Sequence, residues 1–325
     1  MIRQVTVWTP ERKAVMPVLL HMLPQTSVMS WEQFCKTAPP FSIALDGFVG
    51  EGPKFDPKGP RVNLNHHEGV DRLGTRATCA QTLMAIRQGL LDCFRDHGEL
   101  HVEVFVNDCD EDVCTSWTLL HHAHLAVGAM HPALNRLVAM EDMLDTTAGG
   151  YPYPPDLPAL QEMAWIFDPY RRFRMSGGLG RKRSDEYEGV VTDVENRILR
   201  YLVGQGGKIP LDTRYDRIGG GKGWAMIREI GPQGRTGAFG DGIRAYVSLV
   251  QALPNGRYIY TVGRMSLFIA HFQVPAILAA LDREEGNPHE HWGGGDTIGG
   301  SPRVNGSRLA PEEVERIVNE TLAHE

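Results

Sequence analysis

The sequence predicts an α/β protein, with a mostly parallel sheet that carries helices on both faces and with a smaller C-terminal α+β domain. Two observations lead to this prediction. In the first half of the chain, short apolar strands alternate with segments of helical spacing, which is typical of parallel strands joined by crossover helices. After about residue 205 glycine becomes frequent and strands dominate. The 325 residues are enough for one large domain or two ordinary ones.

The composition is that of a soluble globular chain, with 42% apolar and 22% charged residues. The net charge of -7 argues against a protein that wraps nucleic acid by bulk positive charge, although a local basic groove stays open. No apolar run approaches the ~20 residues that span a bilayer, and the first fifteen residues carry charges where a signal peptide needs an apolar stretch. The five cysteines are odd in number and form no C-x-x-C pair. We therefore expect a cytoplasmic protein without disulfides and without a membrane partner.

Three strands are predicted in the first half, and each one ends in a cluster of polar residues. These strands are Phe41–Leu45 before Asp46-Gly47, Arg61–Leu64 before Asn65-His66-His67, and His101–Val106 before the acidic run 107–112. Helical spacing predicts helices over Thr75–Leu91 and over about 114–127. Ligands bind beyond the carboxyl ends of the strands in such sheets, so all three clusters are predicted at the functional edge.

The chain changes character after about residue 150. Tyr151–Pro158 is rich in proline and is predicted to be a rigid connector, 171–183 to be an exposed basic loop, and Asp185–Leu202 to be an amphipathic helix. Further strands are predicted over Trp224–Ile230, Ile243–Ser248 and Tyr258–Val262, and helices over Val274–Glu285 and Pro311–Ala323. The sequence thus divides into an α/β domain (1–150), a linker and connecting helix (151–204), and a glycine-rich α+β domain (205–325).

The strongest chemical signal is the acidic run Asp108-Cys-Asp110-Glu-Asp112. Three aspartates so close together repel one another, so one or more stays protonated unless a cation compensates the charge. Hard divalent cations take several oxygen ligands, and this run supplies them. The run therefore predicts a metal site, and the alternative is a solvated acidic turn.

Two adjacent histidines, His66 and His67, follow a predicted strand, where they suit Mn²⁺, Fe²⁺ or Zn²⁺. The alternative is a surface pair or a hydrogen-bonded core pair. The pair His121-His122 lies inside a helical pattern, and we interpret it as structural. Further aspartates could be ligands, or equally capping or turn residues: Asp46, Asp142 and Asp145.

These motifs resemble those of the DHH phosphoesterase family, including its RecJ-like and oligoribonuclease-like members. The segment Asp108–Ser116 resembles the longer D-x-D-x-D motif, and Asn65-His66-His67 resembles the DHH triplet with Asn in place of the aspartate. Thr75–Thr78 resembles the start of the helix that follows the triplet, Asp46-Gly47 the isolated aspartate, and Leu144–Gly149 the final D-T-G-like motif. The order of the motifs departs from the family, because the acidic strand follows the histidines. A circular permutation of the strand order would still bring the motifs to one edge.

The C-terminal half resembles the DHH-associated substrate domain. Val262–Ser266 resembles its V-R-S motif, and Trp292–Asp296 together with Gly299–Arg303 resembles its G-G-G-H motif. Glycines let backbone N–H groups approach a phosphate, and arginines can bind it through two donors. The alternative is that these glycines serve only turns. The implied substrate-binding residues are Arg264, Ser266, Gly293, Gly294, Gly295 and Arg303.

The resemblance implies a divalent-metal-dependent phosphoesterase that cleaves a phosphodiester or phosphoanhydride in a small nucleotide or short oligonucleotide. Two Mn²⁺ ions about 3.5–4 Å apart would activate a water, with Mg²⁺ or another divalent ion left open. The implied catalytic residues are His67, which contacts phosphate or protonates the leaving oxygen, Asn65, which orients an imidazole, and Arg76. The implied metal ligands are Asp46, His66, Asp108, Asp110, Asp112 and Asp145.

Two other classes of function remain open on the sequence. One is a non-catalytic nucleotide- or metal-binding module, and the other is a metal-dependent hydrolase of a non-phosphate substrate such as an amide. The sequence also leaves a homodimer open.

Overall fold

A computed structural model describes residues 18–127, 131–151 and 153–323 of the chain. The prediction about a signal peptide concerns the first fifteen residues, which lie outside these ranges. Among the helices of the described ranges, none combines the length and the apolar character that crossing a membrane requires.

The first half forms a five-stranded sheet with the order β1-β7-β2-β4-β3. The strands β1, β7, β2 and β4 run parallel, and β3 pairs antiparallel to β4 at one edge. A separate hairpin joins β5 and β6. The strands are β1 (Val18–Met22), β2 (Ser42–Leu45), β3 (Lys54–Asp56), β4 (Arg61–Leu64), β5 (Arg95–Asp96), β6 (Glu99–Leu100) and β7 (Val102–Val106).

Helices cover both faces of this sheet, as the sequence predicts. Alternate strand residues such as Ile43 and Leu45 face the larger core, while Ala44 and Phe105 face the opposite side and pack with Phe34 of α1. The helices of this half are α1 (Trp31–Thr37), α2 (Thr78–Arg87), α3 (Leu90–Cys93), α4 (Glu111–His121), α5 (Pro132–Thr146), α6 (Pro158–Ile166), α7 (Asp168–Met175), α8 (Gly178–Arg181) and α9 (Ser184–Leu202), with a 3-10 turn at Ala123–Leu125.

The segment that the sequence separates as a linker contributes to the same core. One face of α9, including Val191, Val194 and Ile198, is buried with side chains of α6 and α7 against the sheet helices. The basic segment 171–183 is largely helical, in α7 and α8, so the prediction of a loop is wrong, whereas most of its residues are exposed as predicted. Its arginines pair with nearby acids, and Asp168 in particular is buried beneath Arg171 and Arg172.

The C-terminal half forms a six-stranded mixed sheet with the order β12-β13-β11-β10-β9-β8. Only β9 and β10 pair in parallel among the described strands of this sheet. Apolar side chains of α11 and α12 share a core with the sheet, and α10 packs on a smaller cluster. The elements are β8 (Tyr215–Gly221), β9 (Trp224–Glu229), α10 (Gly234–Gly240), β10 (Ala245–Ala252), β11 (Tyr258–Arg264), α11 (Val274–Glu285), β12 (Gly293–Gly294), β13 (Ile298–Gly300) and α12 (Pro311–Ala323).

Element bounds follow local signals where those signals are strong. The bounds of β4, α11 and α12 agree with the sequence prediction. The helix predicted over Thr75–Leu91 instead stops at Arg87, because Gly89 adopts a left-handed conformation with φ of 98° and a separate short helix follows. The next helix, α4, begins earlier than predicted because the Asp110 side chain accepts a bond from the Val113 amide as an N-cap.

Candidate metal centre

Three clusters that are distant in sequence meet at the carboxyl edge of the first sheet. The strands β7, β2 and β4 are direct neighbours, and they end just before the run 107–112, Asp46 and Asn65-His66 respectively. Helix α5 adds Asp145, which the sequence analysis places in a turn motif and which lies near the C-terminal end of that helix. The edge therefore collects carboxylates and imidazoles from four elements.

His66 lies at the centre of this collection and is fully buried. Its Nε2 atom is 2.6 Å from Asp145 Oδ2, 3.4 Å from Asp46 Oδ1 and 3.6 Å from Asp112 Oδ2. On the other side of the ring, Arg72 Nη2 is 3.3 Å from Nδ1. Three carboxylates thus surround one imidazole nitrogen.

The closest contact in the centre is not a hydrogen bond. His66 Nε2 and Asp145 Oδ2 are 2.6 Å apart, yet both are buried atoms without a hydrogen-bond partner. Buried polar atoms that lack partners are costly, and their convergence is explained when a cation binds both. The residues present thus fit a divalent metal ion.

Two sets of donor atoms share His66. One set is Asp46, His66 and His67, the other is His66, Asp112 and Asp145, and in each set the ligand atoms lie within 4.8 Å of one another. The remaining predicted ligands, Asp108 and Asp110, belong to neither set. Their half-buried carboxyls are nevertheless close enough to Asp46 for each pKa to be affected by its charge.

Asp46 connects the two histidines to helix α2. Its Oδ1 atom is 2.9 Å from His67 Nε2 and accepts a bond of 3.0 Å from the Thr78 hydroxyl. The residue adopts a left-handed backbone with φ of 49°, which turns its side chain back over the end of β2. His67 remains about one third exposed, at 34%, so it is the imidazole that a substrate can reach.

The N-terminus of α2 is capped by side chains from other helices, because its own N-cap residue is Ala77. Asp112 accepts bonds from the amides of Thr78 (2.7 Å) and Cys79 (2.6 Å). Asp142 accepts one from the amide of Ala77 at 2.7 Å. The bond from Arg76 Nη1 at 3.1 Å occupies the other oxygen of Asp142. Asp142 therefore serves as the cap that the sequence analysis keeps open as its alternative role.

Burial and neighbouring charges shift the pKa values of Asp46 and His66 in opposite directions. Burial would raise the pKa of Asp46, but the charge of His67, the hydrogen bond from His67 and the close approach of His66 hold that pKa well below its usual range. Burial would lower the pKa of His66, but Asp145 and Asp46 raise it to about 10. Asp46 is therefore ionised and His66 carries the positive charge when no metal replaces its proton.

Other carboxyls of the centre cannot all be ionised together. Burial, with the negative charges of Asp46 and Asp145, raises the pKa of Asp112 to about 7. Burial also raises the pKa of Glu111 to about 7, and it raises the pKa values of Asp110 and Glu141 well above the usual range. This buried negative charge needs compensation, which a divalent cation supplies.

We expect the metal-free protein to lose stability as the pH rises from 5 to 8. The pKa values of Asp112 and Glu111 are about 7 in the folded protein and near 4 in the unfolded chain. Between pH 4 and pH 7 the folded protein therefore binds more protons than the unfolded chain. Their stabilising contribution is present below pH 4 and is lost as the pH approaches 7. The contribution of His66 is likewise lost between its unfolded pKa of 6.5 and about 10.

Thermal unfolding with EDTA and with Mn²⁺ measures this effect. Mn²⁺ should raise Tm more at pH 8 than at pH 5.5, since protons compete with the metal for the same carboxylates. A metal-induced shift that is equal at the two pH values, or larger at pH 5.5, would contradict this interpretation.

Asn65, predicted to orient an imidazole, is a fully buried organiser of its loop. Its Nδ2 donates to the carbonyls of Val49 (3.2 Å) and Glu51 (3.0 Å) and to Glu68 Oε2 (3.2 Å). Its Oδ1 accepts from the His67 amide at 3.0 Å. Asn65 therefore positions His67 through the backbone, which an aspartate could not do with the same partners.

Replacing Asn65 with Asp should destabilise the protein, although it would complete the DHH triplet. The new carboxylate would face two carbonyl oxygens and the Glu68 carboxylate, leaving acceptors unpaired at a cost of about 2–4 kcal/mol. Urea unfolding of Asn65→Asp measures this cost. The double variant Asn65→Asp/Glu68→Gln should recover part of it, and an Asn65→Asp protein as stable as the original would refute the assignment.

The predicted substrate residues of the C-terminal half differ in position. Arg303 is exposed, and its charge acts to lower the pKa of Asp108 against the larger effect of burial, so it lies near the acidic run. Arg264 is buried and donates to the carbonyls of Asp296 (3.0 Å) and Ile269 (3.1 Å), which makes it a structural residue of its own domain.

The other predicted substrate residues shape the glycine-rich edge of the second sheet. Gly293 and Gly294 form the edge strand β12, and the Gly295 amide donates to the Ile298 carbonyl. A Cβ atom at Gly294 would lie 2.2 Å from Gly299 Cα, so glycine is required for the strands to pair this closely. Ser266 accepts a backbone bond from Ile269 in the turn after β11.

Several residues of the centre are not predicted as site residues by the sequence analysis. Glu141 precedes Asp145 by one helical turn, so recognising α5 would have placed both on one face. Arg72 and Thr78 carry no motif of their own. Arg174 supplies positive charge to Glu111 from α7, within the segment predicted as an exposed loop.

Neither the scan against protein-family models nor the searches of curated proteins and of solved structures found a match to this chain.

Proposed function

We propose that this chain is a divalent-metal-dependent phosphoesterase of the DHH type, acting on a phosphodiester or phosphoanhydride of a small nucleotide or short oligonucleotide. The observation that carries the proposal is the convergence of three carboxylates on His66 Nε2, with the nearest one, Asp145, making no hydrogen bond to it. A centre with this donor set and with excess buried acid is suited to hold hard or borderline divalent ions.

The sharing of His66 supports two ions, with Mn²⁺ as the first choice. Asp46 and His67 would lie on one side, and Asp112 and Asp145 on the other. Asp108 and Asp110 would add charge or further oxygen ligands. Divalent ions bound here would supply charge neutralisation for the phosphoryl group and a lower pKa for an attacking water.

The chain's own residues would orient the substrate and move a proton. His67 is partly exposed and is held by Asp46 at 2.9 Å. Burial lowers the pKa of His67, but the charge and hydrogen bond of Asp46 together with the charge of Asp145 raise the pKa overall, so the ring can donate a proton to a leaving oxygen. Arg303 lies near Asp108, where it would bind a phosphate oxygen.

The strand order supports the resemblance despite the permuted motifs. The acidic strand β7 follows the histidine strand β4 along the chain, but β2 lies between them in the sheet. All three are parallel, so their carboxyl ends present the motifs at one edge whatever their order in the sequence. The permutation is therefore no obstacle to a shared site.

A small substrate is favoured by the surroundings of the centre. The second domain approaches the first near Gly150, where a Cβ would lie 3.3 Å from Phe239 and 3.4 Å from Met265. Arg303 of the second domain also lies near Asp108, so a substrate would lie between the two domains, and the net charge of -7 disfavours a long nucleic-acid track.

Metal content and turnover test the proposal directly. Purified protein would be analysed for bound metal and then assayed with bis(p-nitrophenyl) phosphate and added Mn²⁺, beside Asp145→Asn and the exposed control Asp193→Asn. We expect Mn²⁺-stimulated turnover that Asp145→Asn loses and Asp193→Asn retains. Neither metal nor turnover would favour a non-catalytic binding module, and metal without phosphoesterase activity would favour a hydrolase of another bond.

A further inference from the structure

A second cluster of metal-ligating side chains lies at the opposite end of α4 from the acidic run. His121 ends α4, and His122 is its C-cap. Glu195 Oε1, from α9, is 2.5 Å from His121 Nδ1 and 2.6 Å from His122 Nε2. Both imidazoles therefore contact the same carboxylate oxygen.

We propose that His121, His122 and Glu195 bind one borderline divalent cation, for which Zn²⁺ is the natural probe. Two imidazole nitrogens and one carboxylate oxygen form a donor set that zinc uses with an open fourth position for water. The three ligand atoms all lie within 4.8 Å of one another. The proposal replaces the interpretation of His121-His122 as a purely structural pair.

The geometry requires only a small opening to admit the ion. Tetrahedral ligands about 2.1 Å from zinc lie roughly 3.4 Å from one another, so each nitrogen must move away from Glu195 Oε1 by less than 1 Å. The side chains of His121 and His122 are 17% and 24% exposed, so the site can be reached from solvent. Short rotations of these two rings would suffice.

A neighbouring side chain holds the carboxylate in place. Trp117 Nε1 donates to Glu195 Oε2 at 3.0 Å, which leaves Oε1 directed at the imidazoles. A fixed second oxygen is the arrangement that orients ligating carboxylates in metal sites.

This site is separate from the proposed phosphoesterase centre. The eleven residues of α4 extend about 16 Å, and the two clusters lie at its two ends. An ion at His121, His122 and Glu195 would tie α4 to α9 within the first core. The proposal does not depend on the chemistry at the other end of the helix.

Zinc titration of the full chain tests the proposal. Calorimetry would compare the original protein with His122→Asn and Glu195→Gln, with His101→Asn as a matched control because His101 also lies beside a carboxylate, 2.9 Å from Glu103. We expect His122→Asn and Glu195→Gln to weaken one Zn²⁺ equivalent at least tenfold, and His101→Asn to leave it unchanged. Mn²⁺-dependent turnover should be unaffected by either substitution.

The Co²⁺ visible spectrum provides a readout of ligand identity. A Co²⁺ ion bound to two imidazoles and a carboxylate should give visible absorption bands, and His122→Asn should remove them. Equal zinc affinity and stoichiometry in the original protein and in His122→Asn would overturn the proposal. If Glu195→Gln fails to fold, His122→Asn alone still decides it, and loss of the zinc equivalent would stand even if the protein proved not to be a phosphoesterase.

Discussion

Replacing Asp46 with Asn is expected to lower Mn²⁺-dependent turnover of bis(p-nitrophenyl) phosphate by about 10³-fold or more. Asp46 is the one carboxylate of the centre whose pKa is driven down, so its charge is available at every pH of interest. Removing that charge would weaken ligation and leave His67 without its charged partner. A loss of about 4 kcal/mol in transition-state stabilisation corresponds to this factor.

Asparagine is the most informative replacement for Asp46 because it tolerates the backbone conformation of this residue. Asp46 has φ of 49°, a conformation that Asn tolerates better than most residues and that would strain Ala. The amide oxygen can still accept the bond from Thr78. The variant should therefore fold normally, so that a loss of activity reports on the missing charge.

Kinetics and metal affinity together measure this prediction. The exposed Asp193→Asn variant is the control, because it removes one negative charge from α9 without touching the centre. Asp46→Asn should also bind Mn²⁺ more weakly in a titration. Turnover within a few-fold of the original protein, at unchanged metal affinity, would remove Asp46 from the ligand set.

Replacing Asp112 with Ala is expected to cost about 2–4 kcal/mol of stability. Its two carboxylate oxygens accept bonds of 2.7 and 2.6 Å from the Thr78 and Cys79 amides, which are fully buried at the start of α2. Alanine would leave both donors unsatisfied and would remove a negative charge from the positive end of the helix. Relief of repulsion from Asp46 and Asp145 offsets only part of the loss.

Urea unfolding at pH 8, where Asp112 is ionised, followed by circular dichroism in EDTA, measures this cost. Asp112→Asn is the matched control, since its single amide oxygen can keep one of the two bonds and should lose about half as much. The two variants should also differ less in Mn²⁺ affinity than in stability, because both lack the charge. An Asp112→Ala protein as stable as the original would mean that the α2 amides find other acceptors.

The first domain shows why some elements could be predicted from sequence. In β2, β4 and β7, apolar strands end at polar clusters, and strands of a parallel sheet present such ends at one edge. The observed sheet has β7, β2 and β4 as neighbours, so the predicted meeting of Asp46, His66 and the acidic run follows from topology. Strong periodicity and capping signals likewise located α11 and α12.

The helices of the middle region show where the sequence was insufficient. The sequence leaves Asp142 and Asp145 open as ligands or as capping or turn residues, and it contains no prediction of α5, which carries both and ends at Thr146. The arginines of 171–183 suggest a loop, whereas Asp168 and the apolar side chains of α7 hold that segment in helices against the core. In the second place tertiary packing outweighs local composition.

The sequence by itself determined the class of fold, the identity of the clustered acids and imidazoles, and the strand ends that carry them, because these follow from periodicity and chain topology. Only the tertiary structure decided the role of each one. Asp112 and Asp142 both cap α2, yet only Asp112 also approaches His66, and Asn65 organises a loop. Such distinctions depend on the exact positions of side chains from different elements. No local sequence pattern encodes these positions.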